Sequence, residues 1–297
     1  MKKMTKFFAL ALLAGAMFSC STEDTAPSTK NDKVAVQFTG GINVNTRAAG
    51  VAWDNGDKIG IFMTGTKQPL SADAIKEGVD NVCYQSNGSI AFSPISGGKT
   101  IFFPIDGDVD FYSYYPQTTV NDYKVALDVT DQTKQEAIDF MYAKTTGCNK
   151  ANPQVDLTFF HKLSNLVLDV QPGSGLTQED LEKMTVKVKG QNTKATFNLA
   201  DGTISGEGNP TDIKMKTTVA GKLYEAILLP TEEASRVIEF DLNNGYDAPF
   251  VWTMPAKLEG GNRYHYTVVK LSRSAVDIAG IIEPWIMAGD NDEHIAN

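Results

Sequence analysis

The chain has 297 residues, 42% of them hydrophobic and 21% charged, with a formal net charge of -9. That apolar share excludes a disordered chain, and the length suits two domains. The first nineteen residues carry Lys2, Lys3 and Lys6 and no acid, so the rest sets 24 basic residues against 36 acidic ones; an acidic surface without a basic cluster argues against nucleic acid as a partner.

The N-terminus reads as an export signal over residues 1–19. "MKKMTK" is a cationic stretch, and the apolar run "FFALALLAGAMF" is too short to span a bilayer as a mature helix. Cys20 follows in "AMFSC", which resembles a lipobox, although Phe18 stands where a small residue is preferred. An acylated Cys20 would then head the mature chain, with residues 20–33 as a polar tether. No later apolar run is long enough for a membrane span, so lipid is the expected anchor.

Beyond the tether, alternation with a period of two dominates. "VAVQF" (34–38) sets Val34, Val36 and Phe38 on one face, with the strand extending as far as 47. "KIGIFM", "IAFSPI", "TIFFPI" and "VDFYSYYP" are further short β-branched or aromatic runs closed by Pro or Gly. The polar stretch "TTGCNKANPQ" (145–154) separates an N-terminal domain, 34–150, from a C-terminal one, 151–297. In "VDLTFFHKLSNLVLDV", Leu157, Phe159 and Leu163 share a phase that Leu166, Leu168 and Val170 do not, which predicts a β-bulge near Ser164-Asn165. Hairpin turns are expected at Asp201-Gly202 and near Asn244-Gly245, and "FVWTM", "LEGGN" and "YHYTVVKL" form a further strand–turn–strand unit. Helical signals are few: Thr177 caps "LTQEDLEKM" with Asp180 three residues on, and "SADAIKEGV" suits a turn or two. The fold class is therefore all-β, built of antiparallel sandwiches.

Chemistry is hard to find. His161 and His265 sit inside strand patterns, His294 lies in the polar tail, and none has zinc-site spacing. "DGDVDF" (106–111) opens like a calcium loop, but Phe111 stands where that loop needs Gly and Gln117 where it needs Glu. No Gly-x-Ser-x-Gly elbow is present and no carboxylate pair is singled out. We therefore expect neither catalysis nor a metal or cofactor. Cys83 and Cys148 allow one disulfide or two separate thiols.

Six segments in order then resemble the fimbrillin family, the subunits of type V pili of bacteroidete bacteria. They are the Cys20 lipobox with its acidic "CSTED" opening, "VQFTGGINVNTRA" with "WDNGDKIGIFM", "FYSYYP", "DFMYAK", "LTFFHKLSNLVLDV" and "YEAILLP", with "IIEPW" closing the series. The resemblance implies two tandem transthyretin-like β-sandwiches and a lipoprotein precursor anchored in the outer membrane. It further implies that an arginine-specific protease cuts at Arg47-Ala48 and removes the first strand (34–47). The resulting groove would be filled by a donor strand from another subunit, here within 274–287, with Val276, Ile278, Ile281 and Trp285 as candidate inward residues. Gly280 interrupts their alternation. The competing reading is a lipid-anchored surface glycan-binding protein, in which aromatic runs such as "FYSYYP" stack on sugar rings.

Overall fold

A computed structural model describes residues 33–43, 53–272 and 275–284 of the chain. Cys20, Arg47, Ala48 and Trp285 lie outside these residues. Seven strands close into a barrel in the order β1 (Gln37–Ile42), β4 (Ala91–Pro94), β3 (Val82–Asn87), β2 (Asn55–Gly65), β5 (Val109–Tyr115), β7 (Met141–Cys148) and β8 (Gln154–His161). Every neighbour in it is antiparallel except β8 and β1, which run parallel where the barrel closes.

The C-terminal half builds two further sheets. One has the order β11 (Thr203–Lys214), β10 (Thr185–Asn198), β14 (Arg236–Asp241), β15 (Phe250–Met254), with β6 (Lys124–Asp128) also paired to β10. The other runs β12 (Lys216–Val219), β13 (Leu223–Leu228), β9 (Ser164–Pro172), β16 (Asn262–Ser272), β17 (Ala275–Pro284). Leu166, Leu168, Val186, Phe197, Tyr224, Ile238 and Phe240 join the two sheets through one buried core. The helix α1 (Gln178–Leu181) is a single turn, held by the expected capping box: Asp180 N donates to the Thr177 hydroxyl and Thr177 N to the Asp180 carboxylate.

Besides its long ladder with β11, strand β10 serves two further neighbours. Thr185–Val188 pair with β14, whereas Lys194–Asn198 pair with β6. Between them the register with β11 slips, at a bulge where Gly190 takes a φ of +60°. A glycine reaches that left-handed conformation without a Cβ clash, and the bulge re-aims the strand.

The all-β expectation holds, as do the hairpin turns of β10–β11 and β14–β15. Four local expectations differ. "TIFFPI" forms no strand and contributes only a bridge between Ala35 and Phe102. "FVWTM" and "YHYTVVKL" fall in different sheets: β15 pairs with β14, whereas β16 pairs with β9 and β17. The phase slip near Ser164 is a break at Lys162-Leu163, with no bulge in β9: the chain leaves the barrel there and enters the second core. Consequently the 151 boundary cuts across both cores, since β8 stays in the barrel and β6 has already joined β10.

Strand β5 is buried along its whole length because it faces two cores. Phe111 packs inside the barrel, while Tyr112 and Tyr114 belong to the second core with Phe140 and Phe197. The Phe140 and Phe197 rings lie 4.7 Å apart, and Tyr142 is 5.2 Å from Phe197. Phe197→Ala should leave a cavity at this junction and cost roughly 3–5 kcal/mol, read as a lower denaturant midpoint with an unchanged slope. Loss of less than about 1 kcal/mol would show that the junction is loosely packed.

Candidate functional site

Strand β1 is the one element that bonds both β4 and β8, so the barrel is closed only while it is in place. Val36, just ahead of the strand, and Phe38, Gly40 and Ile42 within it turn inward and are buried, while Gln37 and Gly41 face outward. Burial of the three apolar side chains contributes on the order of 5–9 kcal/mol, at about 1.5–3 kcal/mol each. Backbone bonds add register: Val36 N donates to Ile101 O (3.0 Å), Gln37 N to Pro153 O (2.9 Å), Gly40 N to Ile90 O (2.7 Å) and Asn43 N to Phe159 O (2.8 Å).

The pocket beneath the strand is aromatic. Phe38 meets Tyr84 and Phe111 edge-on, with centroids at 5.3 and 5.1 Å. One step further along, Trp53 packs edge-on against Phe92, Tyr115 and Phe159 at 5.1–5.3 Å and donates its indole N–H to Gly40 O at 2.8 Å. The backbone of β1 sits so close to this cluster that position 40 admits no side chain: a Cβ there would lie 2.6 Å from Phe92 Cε2. At Gly41 a Cβ would meet nothing within 4 Å. The paired glycines therefore have different reasons to be small.

Polar groups around the barrel are internally satisfied. The Tyr115 hydroxyl donates to Asp57 (3.1 Å) and to Glu136 O (3.2 Å); burial first, then the Asp57 charge, pushes its pKa well above the usual phenol value. Burial likewise raises the Asp57 carboxyl. Asp110, within "DGDVDF", is buried and accepts from Thr66, Lys67 N and Gly147 N, so it clamps the loop after β2 to the end of β7. His161 Nδ1 lies 2.8 Å from Asp139 in a buried pair. Cys83 and Cys148 are separate thiols, and burial, with Asp110 and Asp108, pushes Cys148 up to about 11, which keeps it protonated at neutral pH. Among the described residues no group of His, Cys, Asp and Glu is placed to hold a metal ion. All four aromatics of "FYSYYP" are buried and offer no exposed stacking platform.

At the other end of the chain, Val276, Ile278 and Ile281 lie in β17, which among the described residues is an edge strand paired antiparallel to β16 alone. Val276 packs partly buried against the second core, and Ile278 and Ile281 stand opposite Val269 and His265 in the register. The sequence names Phe111 and Phe159 and carries Trp53 in "WDNGDKIGIFM", but it gives no signal that these residues converge beneath β1.

A family model described as fimbrillin-like matches residues 46–285, a span that starts after β1 and ends one residue beyond β17. The chain belongs to the fimbrillin-like family. Among its relatives is a Bacteroides uniformis protein named "Putative fimbrium subunit Fim1C", 32% identical over 293 residues, covering 93% of each chain. Two solved structures, each titled a "putative cell adhesion protein", share the fold. The one from Bacteroides uniformis has a TM-score of 0.73 at 30% identity, covering 86% of this chain and 99% of its own. The one from Bacteroides ovatus has a TM-score of 0.70 at 25% identity, covering 86% and 98%.

The geometry of this fimbrillin-like barrel makes its two glycines unequal. Gly40→Ala should destabilise the protein by about 1–3 kcal/mol, because Phe92 is wedged against Trp53 and cannot yield freely. Gly41→Ala should stay within about 0.5 kcal/mol of the parent. Thermal unfolding of both variants checks this; equal losses would refute the close approach at position 40.

Proposed function

We propose that the chain is a non-catalytic structural and adhesive subunit of a cell-surface fimbria, assembled by loss of its first strand and strand addition from another subunit. Membership of the fimbrillin-like family supports the subunit role. The observation that carries the assembly step is the position of β1. It alone bridges β4 and β8, and the chain runs directly from its end into "VNTRAAG", which holds Arg47. Removing such a strand exposes two strand edges and an aromatic trough, a state that binds any strand of matching pattern.

Arginine suits the cut because its planar guanidinium pairs with a carboxylate through two parallel bonds, which a lysine ammonium cannot imitate. Small neighbours, Thr46, Ala48, Ala49 and Gly50, leave the scissile bond open to a protease. In this reading an arginine-specific protease cuts at Arg47-Ala48, and a segment within 274–287 is the donor. The precursor is held in the outer membrane through acylated Cys20 until then. Burial of "FYSYYP" removes the specific support for a glycan-binding platform.

Arg47→Ala precursor should therefore remain monomeric on treatment with an arginine-specific protease, while the parent yields a chain beginning at Ala48 and an oligomer ladder. Ladders of equal length from both would sink the processing step. Separately, Cys20→Ser should move the precursor from the detergent phase to the aqueous phase in a partition assay; retention with membranes would overturn the lipid anchor.

A further inference from the structure

The two ends of the chain carry the same sequence pattern. Val36, just ahead of β1, and Phe38, Gly40 and Ile42 within it point inward, and residues 276–282 read Val276-x-Ile278-x-Gly280-x-Ile282. We propose that residues 276–282 of a second copy of this chain replace β1 in one register and one direction. Val276 takes the place of Val36, Ile278 of Phe38, Gly280 of Gly40 and Ile282 of Ile42. The inference rests on the strand-addition reading and specifies its partner.

Position 40 sets the register, since a Cβ there would come 2.6 Å from Phe92 and 3.3 Å from Phe159. Shifting the donor by two residues either way puts Ile278 or Ile282 at that point. A shift by one turns Asp277 into the apolar trough. Reversing the strand about Gly280 sets Pro284 at position 36, where the backbone N–H donates to Ile101 O, and proline has none. In the parallel sense, positions 36, 37, 40 and 43, whose N–H groups are bonded in β1, receive Val276, Asp277, Gly280 and Glu283, all able to donate. Position 41 is open, so Ile281 fits outward where Gly41 stands. Gly280, the residue that interrupts the donor alternation, is thus the one that matches.

Transfer also improves burial. In its own chain β17 is an edge strand with a single neighbour, and Ile282 is 60% exposed. Ile42, whose place it would take, is 7% exposed. Ile278 fills less of the Phe38 pocket than the ring it replaces, so an attached β1 outcompetes the donor and exchange waits for the cut.

Site-directed disulfides test the register in the full chain with Cys83→Ser and Cys148→Ser. Ala91 stands directly opposite Thr39 in the β1–β4 ladder, so Ala279 of the donor should face Ala91 at a separation a disulfide spans. Chains carrying Ala91→Cys are mixed with chains carrying Ala279→Cys, processed at Arg47 and oxidised; every heterologous cross-link must then be intermolecular. Covalent dimers should form at least tenfold more efficiently than with Asp277→Cys or Ile281→Cys as the partner. Equal or stronger cross-linking at 277 or 281, in mixtures that still polymerise, would overturn this register and leave strand addition standing. If the processed parent forms no polymers, strand addition and the register both fall.

Discussion

Closure of the barrel through β1 is the contact on which the rest of the structure depends, and it joins residues more than a hundred positions apart. Phe38 pairs across to Phe92 on one side and Val155 on the other, which ties the N-terminal strand to β8, the strand just before the chain enters the second core. Parallel pairing at such separation closes a large loop, and β1 holds its place by side-chain burial and a few aligned backbone bonds. Strength and replaceability come from the same source. An element bound by alternating side chains and main-chain bonds can be exchanged for any other segment with that alternation.

Around this strand the molecule is built not to yield. Strand β5 faces two cores at once, and the aromatic cluster of Phe140, Tyr142 and Phe197 welds the outer wall of the barrel to the sheets beyond. Asp110 ties the loop after β2 to the end of β7, and Asp139 and His161 pair in the buried stretch where the chain leaves the barrel. Among the described residues, none of the polar clamps named above involves β1 except the Trp53 bond to Gly40. That exception falls where a strand with glycine in the matching place restores it.

Period-two alternation made most strands legible, and the Asp-Gly and Asn-Gly turns made the hairpins so, because both signals are local. The capping box at Thr177 was legible for the same reason. What could not be read was which strands share a sheet. β15 and β16 follow each other with a short connection yet face different partners, and β8 belongs with β1 rather than with β9, which begins three residues after it ends. The break at Lys162-Leu163 showed as a phase slip but looked like a bulge, since a bulge and a change of core shift the alternation alike. Within the candidate site, Arg47 and the alternating segment from Val276 stand out as sequence, whereas Trp53, Phe92 and Phe159 come together only in three dimensions. Family resemblance, not spacing, suggested one process for the two ends of the chain, and the closeness of Phe92 to Gly40 is visible only in the fold.

The central claim is that β1 is absent from the assembled fibre and that its place is taken from outside the chain. Intact-mass measurement of subunits dissociated from purified surface fibres tests this most directly. The account predicts a chain that begins at Ala48 and retains its C-terminal segment through Pro284. Fibre subunits that still carry residues 34–43 would contradict it.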